Sequence, residues 1–258
     1  MIHLVNKSWV LYGPDNMENN CGLKTCYAED DKFEIGVDEA GRGPMFGPVY
    51  VAAVVLPKGE KFAELHADLK DSKRFTSKKK IEKIAERIKE TAIAWSVKSA
   101  SHEVIDKINI RQAVLKSMHA VISECLKIVP SCSTRLLIDG NDFPPYMSMD
   151  MDPSGNGAGM LTQVPHVTIE GGDNKYTAIA AASILAKVDR DAFIDDLCEK
   201  NSYLKEHYKI HTNKGYGTMH HLAGIKAHGI SPWHRKSYGI CKKYSETSSE
   251  IEEEEDEE

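Results

Sequence analysis

The first regular alternation of apolar and polar positions begins at Phe33, where FEIGVDEA alternates as far as Asp38. Period two puts successive side chains on opposite faces, so this segment predicts a strand. GRGPMFGP interrupts it with three glycines and two prolines, and VYVAAVVLP follows as a nearly unbroken apolar run, the pattern of a buried strand. From Ser77 the period changes. Ile81, Ile84, Ala85 and Ile88 fall at i, i+3, i+4 and i+7 with Lys, Glu and Arg on the other face, which predicts an amphipathic helix capped by Thr76 or Ser77. TAIAWSVKSA predicts a third strand, and residues 102–127, with Val104, Ile105, Ile108, Val114, Leu115, Met118 and Ile122, predict one or two helices. RLLIDG reads as a short buried strand ending in an Asp-Gly turn, NDFPPYMSMDMDPSGNGAGM as a loop, and HVTIEGGD as a fifth strand. Residues 174–199 predict a helix whose alanines permit close approach to a sheet, and residues 201–238 predict short helical pieces around GYG and SPWHRKSY. Three strands, then helix, strand, helix, strand, helix, give an α/β domain with a mixed sheet of about five strands flanked by helices. Residues 1–32, polar and turn-rich, read as an extension outside the core.

Composition changes this picture little. The 258 residues are 41% hydrophobic and 28% charged, as in an ordinary globular chain, and exclude collagenous or wholly disordered classes. No apolar run approaches the ~18 residues of a membrane span, and the first residues lack the apolar core and cleavage site of a secretory signal, so a cytoplasmic location is expected. The six cysteines are therefore expected as reduced thiols. Cys21 and Cys26 have no second Cys/His pair to complete a zinc site. Charge changes the picture more. The net −6 averages two regions: residues 246–258 hold nine of the 39 acids and no base, leaving 30 acids against 33 bases in residues 1–245. Residues 241–258 are expected as a disordered acidic tail, a candidate for a basic partner, on a mildly basic body compatible with a polyanion and equally with a small substrate.

Candidate chemistry lies at strand ends. Asp38 and Glu39 end a predicted buried strand, where charge is costly unless compensated, and a cation is the direct solution. Asp139 ends a second strand and Asp173 a third. Strand ends converge at one edge of an α/β sheet, so the four carboxylates can meet there, and an oxygen-only donor set suits Mg²⁺ or Mn²⁺. Each acid also has a plainer reading: Asp139 as a turn residue, Asp173 as a helix cap, Asp38 and Glu39 as a solvated strand end. The GRGPMFGP loop lacks the Lys-Ser/Thr of a P-loop and the spacing of a dinucleotide fingerprint, so taken alone it is a turn.

IGVDEAGRGPMFGPVYVAAVVLP resembles the opening of the type 2 ribonuclease H family, ribonuclease HII, and the likeness continues in order through LKDSKRF, LIDGN, GGDNK with AAASILAKVDRD, GYGTMHHLAGIKAHG and HRKSY, from about residue 33 to 238. The resemblance implies a ribonuclease H-like fold over residues 33–200 and a C-terminal helical extension over 201–240. It implies an endonuclease, a hydrolase of the RNA strand of RNA/DNA hybrids, that also cuts 5′ of single ribonucleotides in duplex DNA, as ribonucleotide excision repair and DNA replication require. Two ions, Mg²⁺ or Mn²⁺, would be held by Asp38, Glu39, Asp139 and Asp173, leaving 3′-hydroxyl and 5′-phosphate ends. The loop that contacts the nucleic-acid backbone would be Gly41, Arg42 and Gly43, and the residue sensing the junction ribose Tyr216. Lys73, Lys175 and Ser183 match positions near the backbone of the substrate. His221 and His234 match family positions for which a structural role is equally open. A monomer is expected.

The resemblance leaves departures. The stretch from Asp139 to Asp173 is longer than the bacterial pattern, with 147–159 as the apparent insertion. Residues 1–32 are too few for the additional N-terminal domain of ribonuclease HIII, and the C-terminus carries no clamp-binding peptide. Two other readings compete: a hybrid-binding protein that has lost its chemistry, against which the intact acids speak, and a resolvase of the same fold class, which would leave Tyr216 unexplained.

Overall fold

A computed structural model describes residues 22–69, 77–150 and 160–245. Lys73, residues 151–159 of the 147–159 insertion, residues 1–21 and the acidic run from 246 lie outside the described residues. The elements are β1 (Phe33–Ala40), β2 (Val49–Val55), α1 (Ala63–Asp68), α2 (Lys78–Thr91), β3 (Ala94–Ala100), α3 (His102–Ile108), α4 (Ile110–Leu126), β4 (Thr134–Asp139), β5 (Tyr146–Asp150), β6 (Met160–Val164), β7 (His166–Ile169), α5 (Thr177–Lys200), α6 (Ser202–Tyr208), α7 (Ile210–Asn213) and α8 (Met219–His228).

The main sheet is mixed and five-stranded, as the hydrophobic pattern predicts, with its strands in the order β3-β2-β1-β4-β7. β1 runs parallel to β4, with Val37 opposite Ile138, and β4 parallel to β7, with Asp139 opposite Ile169. The chain therefore leaves these three strands at the same edge. The apolar run of β2 is buried, and Ile81, Ile84, Ala85 and Ile88 of α2 turn inward as their spacing requires. Ala178, Ile179, Ala180, Ala181 and Ala182 of α5 are buried, and the helix lies so close to β1 that a Cβ on Gly36 would sit 2.2 Å from the Ala178 carbonyl carbon. Only a strand without a side chain at that point admits the helix. No helix among the described residues is long and apolar enough to cross a membrane.

Three features differ from the pattern reading. The six-residue α1 lies in a stretch for which the pattern predicts no element. The stretch after Asp139, read as a loop from its Pro, Gly and Ser, contains an antiparallel hairpin, β5 with β6, anchored by Tyr146 opposite Val164, both buried. Its other face carries Met147, Met149 and Leu161, all exposed, so this ribbon lacks the buried apolar side that would have revealed it. The last part of the N-terminal extension is tied to the core: Leu23 is buried, Lys24 bridges to Tyr176 in parallel, and Tyr27 donates its amide to the Glu34 carboxylate.

The chain divides into two compact units, residues 1–40, 51–98 and 115–188 in the first and residues 41–50, 99–114 and 189–258 in the second. The division falls within α5, after Val188. The reason is a second core, in which Ile194, Leu197 and Cys198 of α5 pack with Phe46, Tyr208, Ile225 and Cys241.

Candidate active site

In the first unit the parallel strands β1 and β4 bring Asp38 and Asp139 to neighbouring positions, because Val37 and Ile138 are register partners one residue earlier. Asp38 is only 5% exposed. Burial first, and then the charges of Asp139 and Glu39, hold its carboxyl well above the usual carboxylate range. Two hydrogen bonds oppose that rise: one from the Ser183 side chain and one from the Glu39 amide at 2.7 Å. Asp139 Oδ1 accepts the Gly172 amide at 2.7 Å, which draws the turn after β7 onto the end of β4. A Cβ on Gly172 would meet Ile179 Cδ1 at 2.5 Å and Asp139 Oδ1 at 3.3 Å, so glycine permits this approach. Asp173 follows in a 3-10 turn, Gly172–Asn174, is 7% exposed and accepts from Asn174 Nδ2 at 3.0 Å.

The structure thus gathers Asp38, Glu39 and Asp139 electrostatically and ties the turn of Asp173 to Asp139. Buried like charges raise one another's proton affinity, and a divalent cation relieves the same repulsion, so the donors fit a hard metal ion in chemistry. Among the described residues no group of three or more His, Cys, Asp or Glu side chains stands close enough together to hold a metal ion. Mg²⁺ itself is commonly held by one or two carboxylates, with water and substrate phosphates completing its shell.

The remaining expected residues of this unit sit differently. Ser183, expected near the substrate backbone, is buried on α5 and bonds Asp38. Lys175 is exposed and donates to the Glu170 carbonyl at 2.8 Å.

The second unit holds the GRG loop and Tyr216. Gly41 is buried with φ of 93°, whereas Arg42 and Gly43 are exposed. The Tyr216 ring, 51% exposed, would lie 3.6 Å from a Cβ on Gly43. Met45 donates its amide to Gly215 at 2.9 Å, joining the two loops. The buried pair His221 and His234 holds Tyr216 from behind, and its proton positions follow from its partners. The Ser231 amide donates to His234 Nδ1 at 2.8 Å, so the His234 proton is on Nε2 and points to His221 Nε2 at 2.9 Å. His221 then carries its proton on Nδ1 and donates to the Tyr216 carbonyl at 2.9 Å. Burial keeps both rings neutral, pushing His234 down to about 3.

Sequence reasoning missed Arg190 and Arg235. Both are buried and donate to main-chain carbonyls of residues 41–48, and such partners leave no pattern in a sequence.

The sequence model of the family Ribonuclease HII matches residues 35–241. The ribonuclease HII of Parabacteroides distasonis is 43% identical over 214 residues, which are 83% of this chain and 94% of that protein. Among solved structures, ribonuclease H2 from Pyrococcus horikoshii OT3 has a TM-score of 0.63 at 23% identity, covering 83% of this chain and 98% of its own. Bst ribonuclease HIII in complex with Mn²⁺ has a TM-score of 0.55 at 20% identity, covering 84% and 70%. At these identities the solved structures establish the fold.

Proposed function

This chain belongs to the ribonuclease HII family and is a ribonuclease H, a hydrolase; from that premise we propose that it cuts the RNA strand of RNA/DNA hybrids and the 5′ side of single ribonucleotides embedded in duplex DNA. Two divalent cations, Mg²⁺ or Mn²⁺, would be held by Asp38, Glu39, Asp139 and Asp173. Bound there, the ions would supply an activated water and neutralise charge on the leaving 3′-oxygen. Support comes from the Mn²⁺ complex of the structurally similar Bst ribonuclease HIII. The observation that carries the proposal is the burial of Asp38 beside Asp139 and Glu39, an arrangement that repels itself until a cation enters.

The protein's own residues have defined tasks in this reaction. Ser183 and the Glu39 amide orient the Asp38 carboxylate, and the Gly172 amide orients that of Asp139. No protein nucleophile is required, so the side chains hold charge and geometry and form no bond to the substrate. GRG and Tyr216 read the 2′-hydroxyl and stack on the junction, the group by which RNA differs locally from DNA. Lys175 contributes to backbone binding after leaving its bond to Glu170. The protein acts as a monomer.

Asp139→Asn tests the metal role, since a neutral amide keeps the shape of the side chain and removes its charge. Circular dichroism is expected to be unchanged and hydrolysis nearly abolished. Retention of more than about a tenth of the activity, a barrier change below ~1.4 kcal/mol, overturns the assignment.

A further inference from the structure

We propose that Arg235 is a positioning residue that fixes the direction in which the amides of the GRG loop face, and through it the preference for a ribose-bearing strand. The inference rests on the reading that GRG and Tyr216 recognise the junction ribose.

Arg235 is 0% exposed. Its guanidinium donates to the Gly41 carbonyl at 2.6 Å, the Arg42 carbonyl at 3.0 Å and the Gly47 carbonyl at 2.9 Å. Tyr238 covers it, with the guanidinium carbon 5.0 Å from the ring centre, and donates its hydroxyl to the same Arg42 carbonyl at 3.0 Å. The peptide bonds of the described residues are trans, and in a trans peptide the carbonyl and the following N–H point in opposite directions. Drawing the Gly41 and Arg42 carbonyls onto Arg235 therefore turns the Arg42 and Gly43 amides away from it. Successive amides facing one way form a concave donor surface suited to a hydroxyl or phosphate oxygen.

A second guanidinium closes the arrangement. A Cβ on Gly41 would lie 2.1 Å from Arg190 Nε, so the loop is seated directly on that side chain. Arg190 donates to the carbonyls of Pro48 at 3.2 Å, Phe46 at 3.3 Å and Lys214 at 3.0 Å, the last on the turn leading to Tyr216. These six hydrogen bonds of the two side chains go to main-chain carbonyls. The planar fork of each guanidinium serves several carbonyls at fixed angles, which an ammonium cannot do.

The test compares affinities for a DNA duplex with one ribonucleotide and for the same duplex as all DNA, in an Asp139→Asn background that removes cleavage. The ratio of the all-DNA dissociation constant to the one-ribonucleotide dissociation constant does not depend on the fraction of protein folded. Arg235→Lys should lower that ratio about tenfold while all-DNA binding stays within about twofold. Tyr238→Phe, which keeps the ring and deletes one bond to the loop, should lower it about threefold, and it carries the test if Arg235→Lys does not fold. Tyr216→Ala provides the reference: if it lowers the ratio while Arg235→Lys and Tyr238→Phe leave it unchanged, the positioning role is overturned and the ribose reading stands. If Tyr216→Ala also leaves the ratio intact, that reading falls and the inference with it. Equal weakening on both duplexes makes Arg235 a residue of general stability and overturns the proposal.

Discussion

At the scale of single residues, two side chains of the second unit have consequences that can be measured separately. Tyr216 is half-exposed beside the GRG loop, so its ring is available for stacking without being needed by a core. Tyr216→Ala should reduce incision at a single embedded ribonucleotide by ~1 to 3 kcal/mol in kcat/KM and reduce cleavage of a continuous hybrid less. Equal losses on both substrates would make it a structural residue. His234 acts through protonation. Burial and the neighbouring His221 lower its pKa from 6.5 to about 3. The unfolded chain therefore takes up a proton below about 6.5 that the folded chain refuses until about 3. Its contribution is complete above the unfolded value and is lost as the pH falls, by up to ~1.4 kcal/mol per pH unit for one group. Urea titrations at pH 7 and pH 4.5 should show that loss, and His234→Gln should reduce it. Parallel pH dependences for the two proteins would contradict the buried neutral pair.

At the scale of elements, the seat of α5 on β1 depends on one missing side chain. Gly36→Ala would bring a methyl group within 2.2 Å of the α5 backbone, and neither element can yield without displacing the strand that carries Asp38. The expected cost is at least ~1 to 3 kcal/mol, read as a lower urea midpoint at unchanged slope. An unchanged midpoint would mean that the helix does not sit where it is described. The periodic elements were legible from sequence: β1 by its alternation, α2 by Ile81, Ile84, Ala85 and Ile88, α5 by its alanines. The β5–β6 hairpin was not, because Met147, Met149 and Leu161 face outward while the buried pair Tyr146 and Val164 lies at its base. The carboxylates at the ends of β1 and β4 were legible because charge after a buried strand stands out. Ser183, in contrast, sits in an alanine run, and only the packing of α5 reveals it as the partner of Asp38.

At the scale of the whole molecule, the charge distribution divides the chain more sharply than its net value of −6 suggests. The nine acids of residues 246–258 follow a body with a small excess of base, and a tethered polyanion competes with nucleic acid for Lys and Arg. Truncation after Tyr244 should tighten substrate binding at low salt and matter less as the Debye length shrinks from ~30 Å at 0.01 M to ~8 Å at 0.15 M. Superimposable binding curves across the salt series would eliminate this competition. The claim on which all of this depends is that strand-end carboxylates direct metal-assisted hydrolysis of a phosphodiester next to a ribose. The most direct measurement maps the products of a duplex containing one ribonucleotide, with Mg²⁺, with Mn²⁺ and with a chelator. The account predicts a single cut 5′ of the ribonucleotide in the presence of either metal, leaving 3′-hydroxyl and 5′-phosphate ends, and no cut with the chelator. A cut on the 3′ side of the ribonucleotide, ending in a 2′,3′-cyclic phosphate and indifferent to the chelator, would mean that the ribose itself is the nucleophile and would contradict it.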